Sequence, residues 1–154
     1  MGKLDAVPES EKLSPGQMAL VISAAAITIW DWEIEIKELI YNERWAQIIG
    51  YSLSELQPLT FETWSNFAHL DDIEKATLLL QEHWRGKAEL YETEFRMKHK
   101  LGHYVWILAT GKVIEYDQDS SPRRMIGTHI DIIQRKRDEQ ELVTTSRLLD
   151  QSQK

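Results

Sequence analysis

Apolar positions recur along this chain with helical spacing in some stretches and with strict alternation in others, and each change of spacing marks an element. MGKLDAVPESEKL is polar and aperiodic and reads as a loose leader over residues 1–13. From Ser14 the spacing turns helical. Met18, Val21, Ile22 and Ala25 share one face, Pro15 suits the first helical position, and Ser14 with Gln17 makes a capping box. These residues predict an amphipathic helix within residues 14–25. ITIWDWEI, residues 27–34, then sets Ile27, Ile29, Asp31 and Glu33 against Thr28, Trp30, Trp32 and Ile34, which predicts a strand; ELIYN supplies a second.

Short helices come next. Asn42 can cap ERWAQIIG, in which Trp45, Ile48 and Ile49 share a face and Gly50 marks the stop. Ser52 and Glu55 predict one further capped turn, and Phe61, Trp64 and Phe67 stand at helical spacing. HLDDIEKATLLLQEHWRG predicts a longer helix, with Asp71 and Glu74 as its capping box, Ile73, Thr77, Leu80 and Trp84 along one side, and Gly86 at its end.

Alternation returns in AELYETEFRMKHK, which puts Tyr91, Thr93, Phe95 and Met97 on one face and Glu92, Glu94, Arg96 and Lys98 on the other. The charged face reads as solvated, with cross-strand pairs. After a turn at Gly102, HYVWILATGKVIEY is apolar on both parities, so both of its faces should be partly covered. RRMIGTHIDI is the last strand. Two strands, a block of helices and three more strands predict an α+β domain: an antiparallel sheet with helices on one face. The core spans residues 26–133, and a C-terminal helix occupies residues 134–154.

Composition narrows the function. A chain of 154 residues holds about one domain. The formal net charge of -7 disfavours nucleic-acid binding, and the one dense basic run, Arg135-Lys136-Arg137, is followed at once by acids. With no cysteine there is neither a disulfide nor a thiolate nucleophile nor a cysteine metal site. The longest apolar run, residues 18–30, is shorter than the roughly 20 residues of a membrane span, and no signal-peptide pattern precedes it.

Catalytic motifs are missing: the chain has no Gly-rich phosphate loop, nucleophile elbow or His-Glu-x-x-His. His69 beside Asp71 and Asp72 reads as capping and surface polarity, since its spacing suits no particular metal. His99 and His103 straddle a turn and do not read as a zinc pair. Six tryptophans are many for this length, and Trp30, Trp45, Trp64, Trp84 and Trp106 lie on apolar periodicities. They read first as core and second as the lining of a ligand cavity.

One junction departs from ordinary punctuation. In HIDIIQRKRDEQEL, residues 129–142, a strand passes into a charged helix with no Gly or Pro between them. Asp131 is placed to accept hydrogen bonds from the first free helix N–H groups, and Gln134 follows three residues on, as in a capping box. Leu142 and Leu149, seven apart, begin a coiled-coil seam too short to stand alone.

Over residues 15–137 these pieces together resemble a PAS domain, a sensory fold of bacterial signalling proteins. WDWEIEIKELIYNERWAQIIGYSLSEL is similar to the family's opening, HLDD to its His-Pro-Asp-Asp helix start, and YETEFRMKHKLGHYVWI to its paired strands around a Lys-Asp-Gly turn. RRMIGTHIDIIQRKRDEQEL resembles the last strand, the Asp-Ile-Thr motif and the linker helix. Leu70, Leu101 and Ile133 depart from the family's proline, aspartate and threonine. The resemblance implies a five-stranded antiparallel sheet with short helices on one face, flanked by an N-terminal helix and a C-terminal linker helix.

It also implies a noncatalytic, cytoplasmic sensor whose signal passes through Asp131, Ile132, Ile133 and Gln134 to an output domain, a histidine kinase or diguanylate cyclase, absent from this chain. A small-molecule ligand would sit between sheet and helices, near Trp45, Phe61, Leu80, His83, Phe95 and Trp106. No cofactor is required by the sequence. Haem through His83, which lies on the long helix, or a noncovalent flavin are the cofactors the family would allow; cysteine photochemistry is excluded. Homodimerisation through the flanking helices is expected, and a purely structural dimerisation module is the rival reading.

Overall fold

The strands Thr28–Glu33 (β1), Glu38–Tyr41 (β2), Tyr91–Lys98 (β3), Tyr104–Tyr116 (β4) and Pro122–Asp131 (β5) form one sheet in the order β2-β1-β5-β4-β3. Every neighbouring pair is antiparallel. This computed structural model describes residues 12–25 and 27–153, so most of the expected leader lies outside the described residues. The central strands β5 and β4 are the longest-paired, and Gly127 of β5 stands opposite both Trp30 of β1 and Gly111 of β4.

Between β2 and β3 the chain crosses one face of the sheet through Glu43–Ile48 (α2), a 3-10 turn Leu53–Leu56, Phe61–Phe67 (α3) and Leu70–Trp84 (α4). The hydrophobic core is on that side. Trp30, Trp32, Tyr41, Phe95, Met97, Ile107 and Met125 point inward from the sheet, and Trp45, Leu56, Trp64, Ala76 and Leu80 meet them from the helices. Aromatic pairs fix the fit: Tyr41 stacks on Trp45 at 3.9 Å, and Trp64 meets Phe95 edge-on at 5.2 Å. Each such side chain contributes roughly 1.5–3 kcal/mol by burial.

Local capping explains several helix starts. Ser14 and Gln17, and Ser52 and Glu55, form the expected reciprocal boxes; Thr60 and Thr63 form a third over α3. Asn42 makes no side-chain cap on α2. Its amide instead receives the Ile29 N–H at 3.1 Å and donates to the Ile27 carbonyl at 2.7 Å, fastening the start of α2 to β1. Gly50, at φ +84°, ends α2 where a Cβ would lie 2.5 Å from the His99 ring, so both the turn and the close approach require glycine.

The start of α4 also differs from expectation. Its N-cap is His69, whose Nδ1 receives the Asp71 N–H at 3.1 Å, and Asp71 caps nothing. Backbone pairing of Ala68 with Met97, and of the His69 N–H with the Arg96 carbonyl, holds the chain against β3 and lets the helix begin at Leu70. The helix Pro15–Ala24 (α1) buries none of its residues, and Met18, Leu20 and Val21 remain at least half exposed. Its Ala19 and Ile22 edge a groove that Ile29 and Ile40 line from the sheet's outer face. Ile133–Ser152 (α5) likewise buries no residue. No helix among the described residues is long and apolar enough to cross a membrane.

Candidate functional site

Small residues at the centre of the sheet shape the site. Ala109, Gly111 and Gly127 sit side by side on the inner face, and the Trp30 indole lies across the two glycines. A Cβ on Gly127 would collide with the Thr110 carbonyl oxygen and with Trp30. Beside this platform a hollow of about 50 Å³ remains between the sheet and α3 and α4. Its walls are Trp30 and Trp32 of β1, Leu39 and Tyr41 of β2, Tyr91 and Phe95 of β3, Ala109 and His129 on the central strands, Phe61 and Trp64 of α3, and Leu80 of α4.

Phe61, Leu80 and Phe95, expected from the sequence, all line this hollow. Trp45 does not; it stands behind the wall and donates its Nε1–H to His129 Nδ1 at 2.7 Å. His83 is buried, 4% exposed, and is taken up by the backbone. Its Nε2 receives the Val113 N–H at 3.1 Å, so the ring proton is on Nδ1 and is donated to the Ala88 carbonyl at 2.9 Å. With both nitrogens engaged, His83 ties α4 to β4 and has no lone pair for a haem iron. At about 50 Å³ the hollow is well short of the roughly 150 Å³ of a cavity that takes a benzene ring; neither a haem nor a three-ring flavin fits it.

Trp106 is on the opposite face of the sheet. The even positions of β4 point away from the helices, and there Arg96 and Lys136 lie over the indole, 5.0 Å and 4.5 Å from its centroid. The apolar character of both parities of β4 therefore has two causes, a core on one side and a cation-covered tryptophan on the other.

His129 is a wall residue that sequence reasoning overlooked, as it did Leu39, Tyr41, Tyr91 and Ala109. It is 5% exposed, and burial pushes its imidazole down to about 3, so it is uncharged at neutral pH. Since Nδ1 accepts from Trp45, Nε2 carries the ring proton. The signal was present in β5: Met125, Gly127 and His129 share the inward parity. Burial also pushes the Tyr91 and Tyr41 phenols up, and Tyr91 adds to the effect on Tyr41.

The junction lies two residues beyond His129. The β5 ladder runs one residue past the strand, because the Ile132 N–H bonds the Trp106 carbonyl; α5 then begins with the Lys136 N–H on the Ile132 carbonyl. Ile132 is thus the N-cap residue, and Asp131 precedes it. Asp131 accepts the Ile133 N–H at 2.8 Å, but Gln134 bonds forward to Asp138 at 3.0 Å and no capping box closes. The box fails on spacing: Gln134 is the second residue of the helix, and the third is Arg135.

Charges on the outer face hold α5 to the sheet. Glu94 of β3 pairs with Arg135 and with Lys136, the latter at 2.6 Å, and these partners draw its carboxyl below the usual range. Arg96 reaches Asp72 of α4 by its backbone N–H, Nε and Nη2, each at 2.8–2.9 Å. Burial pushes the Asp72 carboxyl up, but the bonds from Arg96 outweigh it and leave the carboxyl low. The expected cross-strand pairs on β3 are therefore replaced by pairs to two helices, because α4 and α5 flank this edge strand. Among the described residues no three His, Cys, Asp or Glu side chains are placed to hold a metal ion. The His99 and His103 rings stack face to face at 4.4 Å.

Comparison with known proteins agrees with this geometry. The PAS_3 family, described as PAS fold, matches residues 38–129, more than half of the chain. A search of curated proteins gives no significant match. Among solved structures, a sensory box histidine kinase/response regulator from Burkholderia thailandensis E264 superposes with a TM-score of 0.74 at 27% identity, over 87% of this chain and 98% of its own. The N-terminal domain of a diguanylate cyclase with PAS/PAC sensor from Marinobacter aquaeolei gives 0.59 at 21% identity, over 69% and 94%. A domain of a light and redox sensing histidine kinase from Haloarcula marismortui gives 0.58 at 20% identity, over 75% and 98%.

Proposed function

Because the chain belongs to the PAS family, whose pattern it matches over residues 38–129, we propose that it is a noncatalytic sensory module. In this reading a small molecule in the hollow biases α5, and α5 acts on an output domain of the histidine kinase or diguanylate cyclase type, in the cytoplasm. The observation that carries the reading is the continuity of β5. His129 forms part of the hollow's wall, and two residues later Asp131 holds the first N–H of α5. A displacement of the wall reaches the helix with no flexible loop between them. Glu94, gripping Arg135 and Lys136, supplies a second attachment whose strength depends on where α5 lies.

The relay has a direct test. In a fusion of residues 1–154 to a diguanylate cyclase domain, Asp131→Ala is expected to abolish ligand-dependent output while leaving the circular dichroism spectrum unchanged. An unaltered response would contradict the relay. Native mass spectrometry of the purified chain tests the sensing half: a retained small molecule, lost when Leu80→Trp fills the hollow, is expected, and protein mass alone would contradict it.

A second reading, a dimerisation module, is favoured by the apolar residues that α1 and α5 leave exposed, notably Leu20, Leu142, Leu148 and Leu149. Homodimerisation through these helices is compatible with sensing. As the whole function it requires that the hollow bind nothing.

A further inference from the structure

The starts of the two helices that flank β3 are fastened to neighbouring residues of the sheet. Arg96 of β3 holds the start of α4 from both directions: its carbonyl accepts the His69 N–H at 2.8 Å, and its own N–H donates to Asp72 at 2.8 Å. Trp106 of β4 does the same for α5. Its carbonyl accepts the Ile132 N–H at 3.0 Å, and the Lys136 ammonium lies over its indole, 4.5 Å from the centroid. Arg96 and Trp106 are cross-strand partners, and the Arg96 guanidinium lies 5.0 Å from the centroid of that same indole.

Two cations over one aromatic ring repel each other unless anions balance them, and here each has its own carboxylate. Asp72 accepts from Nε and Nη2 of Arg96, both at 2.9 Å, and Glu94 pairs with Lys136 at 2.6 Å. The network therefore runs without a break from Asp72 through Arg96, the Trp106 ring and Lys136 to Glu94. Because one edge of the guanidinium is committed to Asp72, its plane is set by α4. The guanidinium in turn steadies the indole, and the indole is the surface on which Lys136 rests.

We propose that Trp106 is a positioning residue that couples the start of α4 to the first turn of α5, so that a displacement of residues 69–72 alters the hold of the sheet on α5. Asp131 holds the end of α5 and Trp106 holds its flank, and both are needed to set where the helix lies. The coupling does not require that the hollow bind anything, so its failure and the failure of the sensory reading are distinguishable.

Hydrogen exchange of the full chain, read at residues 133–137, tests the coupling. Asp72→Asn leaves an oxygen for the Arg96 N–H but removes the charge that holds the guanidinium. Exchange at residues 133–137 is expected to rise by about twofold or more, although the substitution is in α4. In Trp106→Leu, which removes the aromatic surface, the same substitution should leave residues 133–137 unchanged while still raising exchange at the start of α4. Trp106→Tyr, which restores an aromatic face, should restore the response. Trp106 is partly exposed on the outer face, so neither variant opens the core. Should Asp72→Asn unfold the start of α4, Arg96→Gln, which keeps the backbone bonds, takes its place with the same expectations.

A rise confined to the start of α4, or an equal rise at residues 133–137 with and without the Trp106 ring, would overturn the proposal. A fall at residues 133–137 would also overturn it, because the two cations would then compete for the indole.

Discussion

His129 is uncharged inside the folded protein at neutral pH, whereas the same imidazole in the unfolded chain titrates at its ordinary value of 6.5. Burial holds the folded-state value at about 3. The unfolded state therefore takes up a proton first as pH falls. The stabilisation is complete above the unfolded value and is lost on descending from 6.5 towards 3, at a limiting slope of about 1.4 kcal/mol per pH unit. Between pH 7.5 and pH 5 that amounts to about 2 kcal/mol, a large part of a stability that is typically 5–15 kcal/mol. Urea unfolding followed by circular dichroism at several pH values measures it. His129→Asn serves as the comparison, because an amide oxygen can still accept the Trp45 N–H and carries no titrating proton. The low carboxyls of Asp72 and Glu94 also cost stability as pH falls, but only around and below pH 4.5, and they do so equally in both proteins. The difference between wild type and variant should change by about 2 kcal/mol across the range, in the direction that penalises wild type in acid. Parallel curves, or an NMR titration of His129 with a midpoint near its ordinary value, would refute the reasoning.

Two further outcomes follow from close contacts and from charge. Gly127→Ala places a methyl group against the Thr110 carbonyl and the Trp30 ring, and since a strand backbone cannot yield as a side chain does, a loss of about 3 kcal/mol in urea unfolding is expected; a loss below 1 kcal/mol would mean that Trp30 does not lie on this platform. Glu94→Gln removes the anion between Arg135 and Lys136, and hydrogen exchange in the first turn of α5 should rise by no more than about fivefold, with wild type approaching the variant in high salt. A difference that is independent of salt would count against an electrostatic attachment.

Legibility in the sequence tracked how local each feature is. The boxes of Ser14 with Gln17 and Ser52 with Glu55 are set by residues three apart, and both are present. The strands followed from alternation, and the inward set of β3 is buried as its parity required. Asp71 and Asn42 misled because capping is decided by where the backbone turns. Pairing of residues 68 and 69 with β3 started α4 early, and Asn42 found better partners on β1. Phe61, Leu80 and Phe95 could be placed from periodicity, because one face of each element meets the core. Trp106 could not, since β4 is apolar on both parities and only the two cations above the indole explain the outer one. His83 and His129 reverse their apparent roles. The histidine on the long helix is a structural tie, and the one hidden in an apolar strand forms the wall of the hollow. At the α5 junction, Asp131 was legible as a ligand for a helix N–H, but the register of the first turn depended on how far β5 continued along β4.

The central claim is that the state of the hollow is felt at α5. Hydrogen exchange of the backbone amides in residues 133–137, compared between wild type and Leu80→Trp, whose larger side chain fills the hollow, tests it most directly. The account predicts that exchange in this first turn changes at least severalfold on filling the hollow, and that Asp131→Ala removes the change. Occupancy of the hollow with unchanged exchange at residues 133–137 would contradict it.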